Sequence, residues 1–295
     1  MLPGHRRSPL TACLLVLLAG SVPGMAGEVP SPQAGPADDE PGRWAELEPG
    51  LALGEFEAPQ KAAAGDSMVR VLRIDPHRWE LRLLNASAPD QGRIRTAKEW
   101  CRKNGLVAAI NSSMYQTDYR KSVSLMRSRE HVNNPRLSKD NTILAFDPLE
   151  EGLPPVRLID LGCHDFEDLR ARYGSLVQSI RMISCRRENV WKQQARAWST
   201  AAIGVDGDGR VLFIHVRSPY TTHDLIENLL ALPLDLAGAM YTEGGAEAQL
   251  YVAAGGVEHE FVGRFDSPLL ADMEAEPVAI PNVIGVARRG PVEVP

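Results

Sequence analysis

Apolar and polar residues alternate with a period of two in "MVRVLRID" (68–75) and "WELRLLNA" (79–86). That is the pattern of half-buried strands, and the tight "PHR" link between them predicts a hairpin. "RTAKEWCRKNG" (95–105) has helical spacing, with Gly105 at its end. It leads into "LVAAIN" (106–111), a short apolar run of the kind found in buried strands. "TILAFD" and "VRLID" read as further strands, and "DFEDLRARYG" (165–174) as a helix closed by Gly174. "LVQSIRMIS" (176–184) and "STAAIGVD" (199–206) are strands. "GDG" (207–209) turns the chain into "RVLFIHVRS" (210–218). "TTHDLIENLLAL" (221–232) is an amphipathic helix that Thr221 or Thr222 can cap, with Asp224 in its first turn. "LAGAMYT" and "AQLYVAA" are strands around a Gly-Gly turn, and "VAIPNVIGVARR" (278–289) holds the last strand. Strands and helices interleave, yet several neighbours read as hairpins. The pattern therefore predicts an α+β fold, with a mixed β-sheet or sandwich core and interleaved helices.

The two ends read differently. Arg6 and Arg7 precede an apolar run from Leu10 to Val22, too short to span a bilayer comfortably. Gly24 and Ala26 supply small residues that suit cleavage after Ala26. Residues 1–26 are thus expected to be a signal peptide, and the protein to be exported, periplasmic or secreted, with no membrane insertion after cleavage. Residues 27–50 begin with "GEVPSPQAGPADDEPGR", which has no apolar periodicity and reads as a disordered linker. The folded part starts near Trp44 or Leu51, and the domain is expected over 51–290.

The net charge of −6 is made of mixed signs without a basic stripe, which argues against a nucleic-acid partner. No glycine fingerprint or P-loop supports a nucleotide cofactor, and no His/Cys cluster has zinc spacing, so neither cofactor nor metal is expected. Export permits disulfides. After leader removal three cysteines remain: Cys163 and Cys185 flank a helix-then-strand segment and are the favoured pair, while Cys101 reads as a buried thiol.

Three stretches carry candidate chemistry. In "AMYTEGGAEAQLYV" (239–252) Glu243 stands at a strand end before Gly244 and Gly245, with Glu247 close behind. A desolvated carboxylate there acquires a raised pKa. The glycines can adopt positive φ and let a ligand approach the backbone. In "AAINSSMYQTDYRKSVSL" (108–125) Asn111 and Ser112 end a buried strand before a polar, aromatic loop. Asn at such a place either binds sugar or phosphate oxygens or forms an Asx turn. In "FIHVRSPYTTHDL" (213–225) His215 and Arg217 share one strand face, and Arg217 near a helix start makes an anion site. Arg181 in "QSIRMIS" is a second anion candidate.

The order of these segments is more telling than any one of them. "AIN", "VQSIRMI", "STAAIGVDGDGRVLFIHV", a helix and "AMYTEGGAEAQLYV" follow each other as in the phosphodiester glycosidase family, which this chain resembles over about residues 65 to 290. The family's "INGGFF", "RTAIG" and "LDGGGSS" are here "INSSMY", "TAAIG" and "TEGGAEA". Thr200 therefore stands in place of an arginine and Glu243 in place of an aspartate. The resemblance implies an α/β sandwich and hydrolysis of a sugar 1-phosphodiester, with cell-envelope or exopolysaccharide glycans as partners. It implies Glu243 near the anomeric carbon, with Glu247, Asp118 or Asp206 as second carboxylate and His215 beside them. Arg217 and Arg181 would neutralise phosphate, and Asn111, Ser112, Thr200, Gly244 and Gly245 would contact substrate. The alternative function is a carbohydrate- or envelope-polymer-binding protein on the same fold.

Overall fold

The computed structural model describes residues 44–264 and 275–290. The expected signal peptide and most of the linker lie outside these residues. The chain opens with β1 (Trp44–Glu48), β2 (Leu51–Glu57) and β3 (Met68–Ile74), an antiparallel meander. Among the described residues the first strand starts at Trp44, so residues 44–50, expected at the end of the disordered linker, instead form β1 and its turn into β2. Next come β4 (Trp79–Asn85), α1 (Ala97–Asn104), β5 (Ala108–Asn111), β6 (Met126–Arg127), β7 (Val132–Asn134), β8 (Thr142–Pro148) and β9 (Val156–Asp160). α2 (Phe166–Arg170), β10 (Tyr173–Ser179), β11 (Arg181–Ile183), β12 (Trp198–Asp206), β13 (Val211–Tyr220) and α3 (Thr222–Ala231) follow. β14 (Leu236–Gly244), a 3-10 turn (Gly245–Glu247), β15 (Gln249–Ala254), β16 (Val257–Val262) and β17 (Asn282–Arg288) complete the fold.

One layer is a seven-stranded sheet in the order β1-β2-β3-β13-β12-β14-β11. Facing it are two five-stranded sheets, β7-β6-β10-β8-β9 and β16-β15-β5-β17-β4. The α+β sandwich expected from the sequence is present. It differs from expectation in one respect: every strand pairing among the described residues is antiparallel rather than mixed. The main core lies between the layers, where Leu72, Ala201, Ile203 and Phe213 meet Leu81, Ile110, Leu250, Ile284, Leu144 and Val177. α3 covers the outer face of the large sheet through Leu225, Ile226 and Leu229. α1 covers a smaller sheet through Ala97, Trp100 and Cys101, with Cys101 buried as expected.

Several segments that read as continuous or as hairpins instead cross between layers. β3 pairs with β2 and β13, whereas β4 pairs with β17. The reason is a helix-like turn in which Trp79 N donates to Asp75 O, so the apolar faces of β3 and β4 oppose one another across the core. The stretch 176–184 breaks at Ile180, whose carbonyl accepts from Tyr241 N, and becomes β10 in one sheet and β11 in another. β14 and β15 likewise belong to different layers, so the Gly-Gly turn joins sheets and closes no hairpin. Local signals did hold elsewhere. Gly105 caps α1 in the left-handed region, Thr221 caps α3, and β12–β13 is a hairpin. α2 ends at Ala171, before Gly174, which lies in β10 against Asp147 and Arg129, where a side chain would clash.

Cys163 and Cys185 form a disulfide. It ties the end of β11 to the loop after β9, beside the Arg181–Asp160 ion pair at 2.6 Å.

Candidate functional site

The last residues of β14 set the site. Along β12, Ala201 pairs with Glu243 and Ala202 with Tyr241, so Thr242 is an extra residue in β14. Such a bulge bends a strand end and re-aims its side chains. Gly244 pairs with Thr200 in extended conformation, and Gly245 starts the 3-10 turn at φ +70°. The two glycines answer different demands. Gly245 takes the left-handed region that a side chain resists. Gly244 does not adopt positive φ: its Cα is crowded by the Tyr241 hydroxyl and by Trp198, whose Cδ1 would lie 2.6 Å from an added Cβ.

Glu243 is half-buried. Burial pushes its carboxyl up to about 7, one hydrogen bond from Gly244 N opposes this, and the negative charge of Glu247 adds to it. Tyr241 and Tyr115 are both raised, first by burial and then by the charge of Glu243, with Glu247 contributing too. Two carboxylates and two phenol groups therefore share one electrostatic environment. For Tyr241 the nearby Trp198 is the group that counters the rise. Around this cluster Thr200 Oγ1, Thr242 Oγ1 and Trp198 Nε1 are buried without a well-formed hydrogen bond. Buried polar atoms left so are costly, and water or a ligand can supply the missing partner. Arg196 stands 5.8 Å over the Trp198 ring.

The predicted residues divide into those at the cluster and those that build it. Glu243, Glu247, Thr200, Gly244 and Gly245 are brought together. Asn111 is not a ligand group: its amide donates to Glu247 O at 2.8 Å and accepts from Gln249 N at 2.7 Å. It clamps the turn that carries Glu247. Ser112 Oγ donates to Asn282 Oδ1 at 2.7 Å, so it too is spent on the framework. His215 is 0 % exposed, with Nε2 3.2 Å from Ala248 O and its ring against Phe261. Burial pushes its pKa down to about 3, so the ring is neutral. A group with no solvent-facing surface does not exchange protons with a substrate; His215 positions the residue after Glu247 instead. Arg181 gives its guanidinium to Asp160 and no longer serves as an anion holder. Arg217 sits on β13, its carbonyl accepting from Ser199 Oγ, about 10 Å across the sheet from the end of β14.

Of the alternative second carboxylates, Asp118 is exposed and ties its own turn by accepting from Lys121 N and Arg120 N. Asp206 pairs with Arg210 at 2.7 Å in the β12–β13 turn. Glu247 remains. Sequence reasoning missed Tyr115, Trp198 and Tyr241. Strand aromatics such as Trp198 and Tyr241 read as core, and only the fold brings the Tyr115 and Tyr241 hydroxyls within the field of Glu243, with Trp198 beside Tyr241.

The family model for phosphodiester glycosidase matches residues 104–287, well over half of the chain. The chain belongs to the phosphodiester glycosidase family. The matched span runs from the end of α1 to β17 and contains every residue of the cluster. Among solved structures the chain is similar to the catalytic domain of zebrafish N-acetylglucosamine-1-phosphodiester alpha-N-acetylglucosaminidase, described as auto-inhibited by its pro-peptide. The TM-score is 0.59 at 12% identity, covering 85% of this chain and 87% of that one. A hypothetical protein from Synechocystis gives a TM-score of 0.56 at 15% identity, covering 86% of this chain and 65% of that one. At such identities these likenesses show the fold. No curated protein matches in sequence. No helix among the described residues is long and apolar enough to cross a membrane.

Proposed function

We propose that this phosphodiester glycosidase is an exported hydrolase that releases a sugar, of the N-acetylhexosamine type, from a glycosyl 1-phosphodiester in envelope or exopolysaccharide glycans. The observation that carries the reading is Glu243, a carboxylate raised to about 7 and lying with Glu247 near the buried hydroxyls of Thr200 and Thr242. The disulfide supports an oxidising compartment.

Water attacks the anomeric carbon as the bond from that carbon to the phosphate oxygen breaks. The electron pair stays on the oxygen, giving a phosphomonoester and free sugar. Glu243 accepts the proton of the attacking water, and its raised pKa makes it a better base than an ordinary carboxylate. Glu247 faces the oxocarbenium-like charge that develops on the sugar. Phosphate is a good leaving group and needs no strong acid. The Thr200 hydroxyl and the Trp198 N–H donate to its oxygens, and Arg217 adds positive charge.

The test is sugar release from an N-acetylglucosamine 1-phosphodiester with a chromogenic aglycone, by the wild type and by Glu243→Gln. Release by the wild type alone supports the reading. No release by a folded wild type favours the carbohydrate-binding alternative.

A further inference from the structure

The loop after β5 carries a feature that folding does not explain. Tyr119 is 53% exposed and adopts φ +53°, a left-handed conformation that costs a residue with a side chain about 1 kcal/mol. Glycine or asparagine would fit that turn at less cost. The loop is nonetheless firmly built. Gln116 N donates to Lys121 O at 2.7 Å, and Asp118 Oδ1 accepts from the backbone of Arg120 and Lys121. Arg120 reaches back to Ala86 O. The Tyr119 ring is held 5.4 Å from that of Tyr115, tilted by 45°. Tyr115 in turn feels the charges of both Glu243 and Glu247. An exposed aromatic ring thus stands one ring outward from the carboxylate pair, on a turn that fixes it there.

We propose that Tyr119 is a stacking platform for a second saccharide ring, the one esterified to the far side of the phosphate. This deepens the hydrolase reading and rests on it. The sugar whose anomeric carbon reacts must lie at Glu243 and Glu247. The remainder of the substrate then extends outward past Tyr115, where Tyr119 offers an apolar ring face to the C–H face of a hexose. Aromatic side chains orient ligands in this way at the mouths of sites, and one such contact is worth about fivefold in affinity.

The experiment compares two diesters that share an N-acetylglucosamine 1-phosphate half, one esterified to methyl and one to a hexose. For the wild type, KM is expected to be about fivefold lower with the hexose diester. Tyr119→Ala should abolish that difference at unchanged kcat and leave the methyl diester unaffected, while Tyr119→Trp should preserve it. An equal KM ratio in wild type and Tyr119→Ala would overturn the proposal. Calorimetric binding of both diesters to Glu243→Gln, with and without Tyr119→Ala, reads the same ratio without turnover. Absence of hydrolysis with a persisting hexose preference therefore sinks the hydrolase reading alone. A hexose preference unmoved by Tyr119→Ala sinks the platform.

Discussion

Two acids close to the same strand are treated in opposite ways. Burial alone would raise the pKa of Asp160, but Cys185 N, Gly162 N and Arg181 all donate to its carboxylate, and the outcome is a lowered pKa. Glu243 receives one hydrogen bond, from its own neighbour Gly244, and a like charge from Glu247, and its pKa rises. Asp160 is a joint: it fastens β9 to β11 beside the disulfide, and every partner it needs is present. Beside Glu243, the buried hydroxyls of Thr200 and Thr242 have no hydrogen-bond partner. The difference separates a carboxylate that serves stability from one held in a costly state for use on a ligand.

The comparison breaks most visibly in activity. Glu243→Gln should lower sugar release by about 10²–10⁴-fold, whereas Asp160→Asn should leave kcat within a few-fold; equal losses would erase the distinction. Stability should show the reverse. Asp160→Ala strands the Arg181 guanidinium and should cost about 3 kcal/mol in urea unfolding, with the disulfide intact in both proteins. Gly244→Ala forces a methyl against Tyr241 and Trp198 and should cost about 2 kcal/mol, with activity lost as the two rings shift. Gly245→Ala, strained at positive φ, should cost about 1 kcal/mol.

The sign of the pH effect sharpens the contrast further. The unfolded Glu243 carboxyl titrates near 4.5 and the folded one near 7, so between these values the folded state holds a proton that the unfolded chain releases. Its contribution is fully present below about 4.5 and is lost as pH rises through 7. Glu243→Gln should therefore be more stable than wild type by about 2 kcal/mol at pH 8, after allowance for partial exposure, and equal to it at pH 4. Asp160, with a lowered pKa, contributes stability present above its ordinary titration range near 3.8 and lost as pH falls through its lower folded value. Melting curves of the two variants across pH would show opposite slopes.

Much of this was legible in the chain. Period-two runs marked most strands, Gly105 and Thr221 marked helix ends, and Glu243 on its Gly-Gly turn marked the centre of the site. What stayed hidden depends on partners distant in sequence. Asn111 looks like a ligand group until Glu247 and Gln249, more than 130 residues on, take both ends of its amide. His215 and Arg181 look reactive until Ala248 and Asp160 claim them. Alternation cannot say in which layer a strand lies, so β3–β4 and β14–β15 read as hairpins. Tyr241 and Trp198 carry no signal of their own, because a strand aromatic is ordinarily core.

The most direct test of the central claim is the titration of the Glu243 carboxyl, followed by carbon NMR in the wild type and in Glu247→Gln. The account predicts a midpoint near 7 in the wild type, and a lower one once the Glu247 charge is gone. A midpoint near 4.5 in both proteins would show that Glu243 is an ordinary solvated acid, and would contradict the account.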